Sequence, residues 1–171
     1  MLQLIFCKEP QKSYLSCILA RPELDGIFNA FNVEVIYHRE KQMDIFNRIK
    51  NMKILLVDDD EWIRDSLSLF FETEGCNLLT FETAEEGLEA LEQKDYDIVI
   101  SDYKLPGMDG LEFLRRVKEK QPNAFEILIT AYANSEILKE AKMLGVKDII
   151  PKPFSSEDVE ISLGRIVENS A

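Results

Sequence analysis

Five short apolar runs, each followed by a helix-length amphipathic segment, confine this chain to very few folds. The runs begin at Lys53, Asn77, Ile98, Phe125 and Lys147. KILLV at 53–57 and IVIS at 98–101 are almost continuously apolar, as in strands covered on both faces. The segments between them carry helix signals. Glu61–Glu74 sets Ile63, Leu67, Phe70 and Phe71 on one face, and Gly75 stops it. Thr83 and Glu86 read as a capping box for a helix over Ala84–Lys94. Asp109 caps Gly110–Gln121, whose Leu111, Leu114 and Val117 point inward, with Pro122 beyond its end. A helix near Ser135–Leu144 is closed by Gly145, and Ser155 with Asp158 caps a last helix running to about Glu168. Strict alternation of strand and helix implies a parallel sheet with helices on both faces.

Residues 1–51 lack this regularity. Val33–Tyr37 reads as a short strand, and Glu40–Lys50 as an amphipathic helix with Met43, Phe46 and Ile49 at helical spacing. Pro10 and Pro22 interrupt what precedes them, and Gly26 is the segment's one glycine. The expected organisation is an N-terminal extension over 1–51, read as a poorly ordered arm, and a domain over 52–171.

The charge is uneven. Residues 1–51 hold seven Lys/Arg and six Asp/Glu, whereas residues 52–171 hold 13 and 26. A domain this acidic is repelled by phosphate backbones, which argues against direct nucleic-acid binding and for a cation or a basic partner. Cys7, Cys17 and Cys76 form neither a metal spacing nor a disulfide framework, and His38 is the single histidine. No apolar run is long enough to span a bilayer. The expected location is the cytoplasm, without membrane insertion.

The residues just past each strand carry the chemistry. Asp58, Asp59 and Asp60 come after the first, Asp102 after the third, Thr130 after the fourth and Lys152 after the fifth. Open parallel sheets gather their sites outside the carboxyl ends of the strands. In strand order 2-1-3-4-5 the first and third strands are neighbours, so Asp58, Asp59 and Asp102 would crowd one pocket. Two carboxylates about 4 Å apart repel by roughly 4 kcal/mol at an effective dielectric of 20, so the cluster must take up a proton or a cation. Hard oxygen donors suit Mg²⁺. A hydroxyl and an ammonium opposite, from Thr130 and Lys152, suit phosphoryl oxygens. Asp60 reads more simply as a solvated helix start. Cys76 reads as a small packing residue, and Trp62 as half-exposed packing on the first helix.

LLVDDD, ISDYKLPGMDG, ITAYA and PKPF, in this order and each after an expected strand, resemble the receiver domain of two-component response regulators. The resemblance runs from Met52 to about Glu168. It implies a flavodoxin-like (βα)5 doubly wound sheet in the order 2-1-3-4-5. It also implies a phosphoacceptor signalling protein rather than an enzyme, limited to self-catalysed phosphoryl transfer and autodephosphorylation. Asp102 would receive the phosphoryl group from a sensor histidine kinase or a phosphotransfer protein. Asp59, Asp102 and the backbone carbonyl of Lys104 would hold Mg²⁺, with Asp58 assisting. Thr130 and Lys152 would bind phosphoryl oxygens, and Lys152–Pro153 would be cis. The phosphorylated form would act on a downstream protein target.

Ile149 stands where the family usually has an aromatic residue, so the switch is expected in the 131–136 loop, the face of Ser135–Leu144, the fifth strand and the last helix, with little contribution from residue 149. One helix's worth of chain comes after Pro153, which reads as a single-domain regulator. The alternatives are a phosphorelay intermediate or phosphate sink, a pseudo-receiver that only binds, and a phosphohydrolase of the haloacid dehalogenase type. The last needs a second acid two residues after the nucleophile, where this chain has Lys104.

Overall fold

In a computed structural model of the protein, residue 42 and residues 44–168 are described. The segment expected as a strand at Val33–Tyr37 lies outside them, as do Met43, Cys7, Cys17 and His38. Residues 44–49 are helical. There follow β1 (Ile54–Val57), α1 (Glu61–Thr73), β2 (Leu78–Phe81), α2 (Ala84–Gln93) and β3 (Ile98–Asp102). After these come α3 (Gly110–Lys120), β4 (Phe125–Thr130), α4 (Ser135–Leu144), β5 (Asp148–Pro151) and α5 (Ser156–Glu168). The strands form one parallel sheet in the order β2-β1-β3-β4-β5.

The apolar strands sort their side chains by pleat. Ile54, Leu56, Ile98, Ile100, Ile127 and Ile129 enter a core shared with Leu67 and Phe71 of α1 and Val159 and Leu163 of α5. Leu55, Val57, Val99 and Leu128 enter the opposite core with Leu91 of α2, Phe113 and Leu114 of α3, and Ala141 of α4. Each such Ile, Leu, Val or Phe side chain contributes about 1.5–3 kcal/mol by leaving water. The helix ends match the sequence signals. Thr83 and Glu86 form the expected capping box, Asp109 accepts from the Glu112 amide, and Ser155 and Asp158 bond reciprocally. Asn134 caps α4, and Gly145 ends it with φ +89°.

The first core reaches back beyond Met52, where the sequence pattern places the domain boundary. Ile45, Phe46 and Ile49 are buried in it. Phe46 meets Phe70 edge-to-face with centroids 5.5 Å apart, and Arg48 Nη2 donates to the Val167 carbonyl at 2.7 Å. This short turn of helix therefore spans the ends of α1 and α5. Phe46 and Ile49 take the inward spacing expected of them. Cys76 is buried beside this turn, its Sγ 3.9 Å from the Phe46 carbonyl. Trp62 departs from expectation: it is 82% exposed, because α1 turns Ile63, Leu67 and Phe71 inward and position 62 falls off that arc.

Candidate functional site

The parallel register brings the acids together. Val57 pairs with Ser101, so Asp58 and Asp102 are the next residues along neighbouring strands. Asp102 in turn pairs with Ile129, and Thr130 with Pro151. The strand ends are also tied directly: the Tyr103 amide donates to the Ile129 carbonyl and the Lys152 amide to the Thr130 carbonyl, both at 2.8 Å.

Carboxylate oxygens of Asp58, Asp59 and Asp102 lie within 4.8 Å of one another. Asp58 and Asp102 are buried and Asp59 is exposed. Lys152 reaches into the group, with Nζ 2.8 Å from Asp102 Oδ1 and 3.1 Å from Asp58 Oδ2. Asp58 Oδ1 also accepts from the Asp60 amide at 2.9 Å. Asp102 Oδ2 accepts from the Lys104 amide at 3.0 Å, and Lys152–Pro153 is cis.

One ammonium among three carboxylates leaves negative charge uncompensated. Burial, aided by the neighbouring Asp102, pushes the Asp58 carboxyl above its ordinary range against the pull of the Asp60 amide and Lys152. For Lys152, burial favours the neutral amine, but its contacts to Asp102 and Asp58 outweigh this and raise its pKa. The cluster thus holds its lysine charged and still has capacity for a cation. Its donors are all hard oxygens, which fits Mg²⁺.

The cluster opens into a cleft of about 430 Å³ lined by Asp59, Asp60, Asp102, Lys104, Ala131, Tyr132 and Lys152. Thr130 lies behind this mouth, fully buried, its Oγ1 accepting from the Tyr132 amide at 2.9 Å. Tyr132 is half exposed, with Lys104 Nζ 6.0 Å from its ring centroid. Asp60 caps α1 by accepting from the Trp62 amide, as its helix-start reading predicts, and its side chain also borders the cleft.

Two glycines shape the approach to Asp102. Gly107 turns the β3–α3 loop with φ +82°. A Cβ on Gly110 would fall 2.0 Å from the Asp102 carbonyl oxygen, so only glycine lets α3 start against the end of β3.

The sequence profile of the response regulator receiver domain matches residues 54–163. The chain belongs to the response regulator receiver family. The receiver is 40% identical over 112 residues to the sporulation initiation phosphotransferase F of Bacillus subtilis, a match covering 64% of this chain and 88% of that protein. It is 34% identical over 114 residues to the DNA-binding transcriptional regulator NtrC of Klebsiella pneumoniae, covering 67% of this chain and 24% of that one. Several curated relatives are thus matched over only about a quarter to a third of their length. Among solved structures, a CheY-like receiver domain protein from Methanospirillum hungatei superposes with a TM-score of 0.66 at 31% identity. That superposition covers 69% of this chain and 94% of the other.

Every site residue named from the sequence lies at these strand ends. Two residues at the site escape the sequence pattern: Arg64, which donates to the Asp58 carbonyl from α1, and Tyr132 at the rim. Arg64 has one available signal: it sits one helical turn beyond the acids, on the same side as Asp60. The hydroxyl-bearing ITAYA motif contains Tyr132 in plain view. Ile149, in the aromatic position, is half buried against the α3–α4 core. Among the described residues, no helix is long and apolar enough to cross a membrane.

Proposed function

We propose that this receiver takes a phosphoryl group onto Asp102 in a Mg²⁺-dependent reaction and signals by contact with another protein. The observation that carries the reading is the Lys152 ammonium set between Asp102 and Asp58 at the mouth of an acidic cleft. An oxygen of the Asp102 carboxylate attacks phosphorus, and the O–P bond forms as the donor's N–P bond breaks. The electron pair stays on the donor imidazole. The donor is a sensor histidine kinase or a phosphotransfer protein. An apolar groove lined by Trp62, Ile63, Phe70 and Phe154 shares Ala131 and Lys152 with the cleft, and that donor would sit there, beside Asp102.

Asp58, Asp59, Asp102 and the Lys104 carbonyl would hold Mg²⁺, which neutralises charge on the phosphoryl oxygens. Lys152 would exchange its carboxylate contact for a phosphoryl oxygen, and Thr130 would turn its hydroxyl to another. The phosphorylated form then binds a downstream protein target through the 131–136 loop, α4 and α5. The acidic domain does not contact nucleic acid directly, and the protein works in the cytoplasm.

The phosphorelay-intermediate reading has one specific support: the sporulation initiation phosphotransferase is matched over 88% of its length. Incubation with acetyl phosphate and Mg²⁺ should add one alkali-labile phosphoryl mass, absent in Asp102→Asn. Full labelling of Asp102→Asn at the same level defeats the assignment. Transfer of the group onward to a phosphotransfer protein, without change in affinity for any target, selects the relay reading.

A further inference from the structure

The three acids are not held alike. Asp58 is fixed through its carboxylate by the Asp60 amide and Lys152, and Asp102 by Lys152 and the Lys104 amide. Asp59 is exposed, and among the described residues no hydrogen bond secures its carboxylate. Its place in the cluster therefore depends on the backbone that carries it. That backbone is the Asp58–Asp59 peptide, and its carbonyl accepts from Arg64 Nη1 at 2.8 Å. The preceding peptide is held as well, because the Asp58 amide donates to the Phe81 carbonyl at 3.2 Å.

Arg64 is built for this task. Its side chain is 16% exposed, and its second nitrogen, Nη2, lies 3.8 Å from Glu82 Oε2 on the β2–α2 loop. The guanidinium addresses the loop's backbone, while the Asp58 carboxyl is governed by burial, the Asp60 amide and Lys152.

We propose that Arg64 is a positioning residue for the cation site: by holding the Asp58 carbonyl it orients the peptide that delivers Asp59 to Asp58 and Asp102. This inference rests on the Mg²⁺-dependent reading above and assigns a residue to that same site. Without the guanidinium the Asp58 carbonyl loses its partner, the peptide plane is held less tightly by the Asp60 and Phe81 contacts alone, and Asp59 spreads over more positions, of which fewer meet the other two acids. The cost falls on cation affinity. Chemistry at saturating cation is spared, because Asp102, Thr130 and Lys152 are held by other contacts.

The test compares the wild-type chain with R64M, R64K and E82Q. Mg²⁺ binding is followed by calorimetry, thermal stability is measured without Mg²⁺, and phosphoryl uptake from acetyl phosphate is measured across Mg²⁺ concentrations. R64M keeps the stem packing and loses the donors. Its Mg²⁺ dissociation constant should rise about tenfold, a fraction of what a charged hydrogen bond is worth. Its half-saturating Mg²⁺ for uptake should rise in parallel, while the plateau rate stays within about twofold of wild type. R64K retains one donor and should recover most of the affinity, and E82Q should bind Mg²⁺ as wild type does. A lowered melting temperature in R64M with unchanged Mg²⁺ affinity would make Arg64 structural and overturn the proposal. A fall in plateau rate without a shift in half-saturation, or an E82Q defect as large as that of R64M, also overturns it. Should R64M not fold, an R64K chain that folds and binds Mg²⁺ no better than Asp59→Ala overturns it as well. Failure of the underlying reading appears elsewhere, as a wild-type chain that takes up no phosphoryl group.

Discussion

Lys152 Nζ stands 2.8 Å from Asp102 Oδ1, so the proposed acceptor is already paired before any phosphoryl group arrives. The ammonium stabilises the carboxylate at rest and is placed to follow the charge onto phosphoryl oxygens. Lys152→Ala should slow uptake from acetyl phosphate by about 100-fold, the scale on which removing one charge-stabilising donor acts. Intact-mass time courses check it. Uptake within twofold of wild type would remove Lys152 from the proposed chemistry.

Gly110 is a second point of dependence. A methyl group there would collide with the Asp102 carbonyl at 2.0 Å. Gly110→Ala should destabilise the domain by about 2–3 kcal/mol or more through backbone displacement, and should slow phosphoryl uptake as Asp102 moves. Gly107→Ala meets no such obstacle, and its φ of +82° should cost only about 1–2 kcal/mol. Urea denaturation of both variants measures the contrast, and equal losses would contradict it.

Among the described residues, Glu126 is a carboxylate outside the site with unusual surroundings. It is fully buried on β4, neither oxygen has a hydrogen-bond partner, and Lys118 Nζ is 3.8 Å away. Burial, only partly offset by Lys118 and Lys147, raises its pKa to about 7. The folded state therefore binds this proton more tightly than the unfolded state does. The stability it contributes is full below about 4.5 and is lost as pH rises through about 7. The loss is on the order of 1–3 kcal/mol between pH 5 and 8. Glu126→Gln should flatten that slope and be the more stable chain at pH 8, by urea denaturation at each pH. The Asp58 carboxyl, also raised by burial, adds a slope of the same sign.

A chain beginning at Met52 lacks Ile45, Phe46 and Ile49. Their burial is worth about 5–9 kcal/mol at most, counted against an extended unfolded chain. Such a chain should fold with a markedly lower denaturation midpoint than one beginning at Gln42. Its folded fraction should still take up phosphate, because every residue of the proposed site lies beyond Met52. Equal midpoints would mean that residues 44–49 add nothing.

A feature of this receiver is legible in its sequence when the signal is local. Strand ends and helix caps are local, so Thr83 with Glu86, Asp109, and Ser155 with Asp158 are readable from spacing alone. The acid cluster is readable because a parallel sheet converts strand ends into neighbours. Arg64 is not, because its partner is a main-chain carbonyl, which every residue carries. Glu126 is hidden inside FEILIT, since period and composition record a strand but not which face a charge will meet. Residues 44–49 resemble part of an arm because a short helix gains its stability from packing that only the assembled α1 and α5 provide.

Asp58 and Thr130 are sealed in the fold, whereas Lys104 and Tyr132 stand at its edge, exposed and half exposed. Substitutions at the edge disturb no core packing, so selection can explore them at little risk to folding. Both residues line the cleft that opens onto Asp102. A lineage carrying this domain can therefore vary the rim of its acidic cleft at two surface residues while the buried residues behind that rim stay fixed.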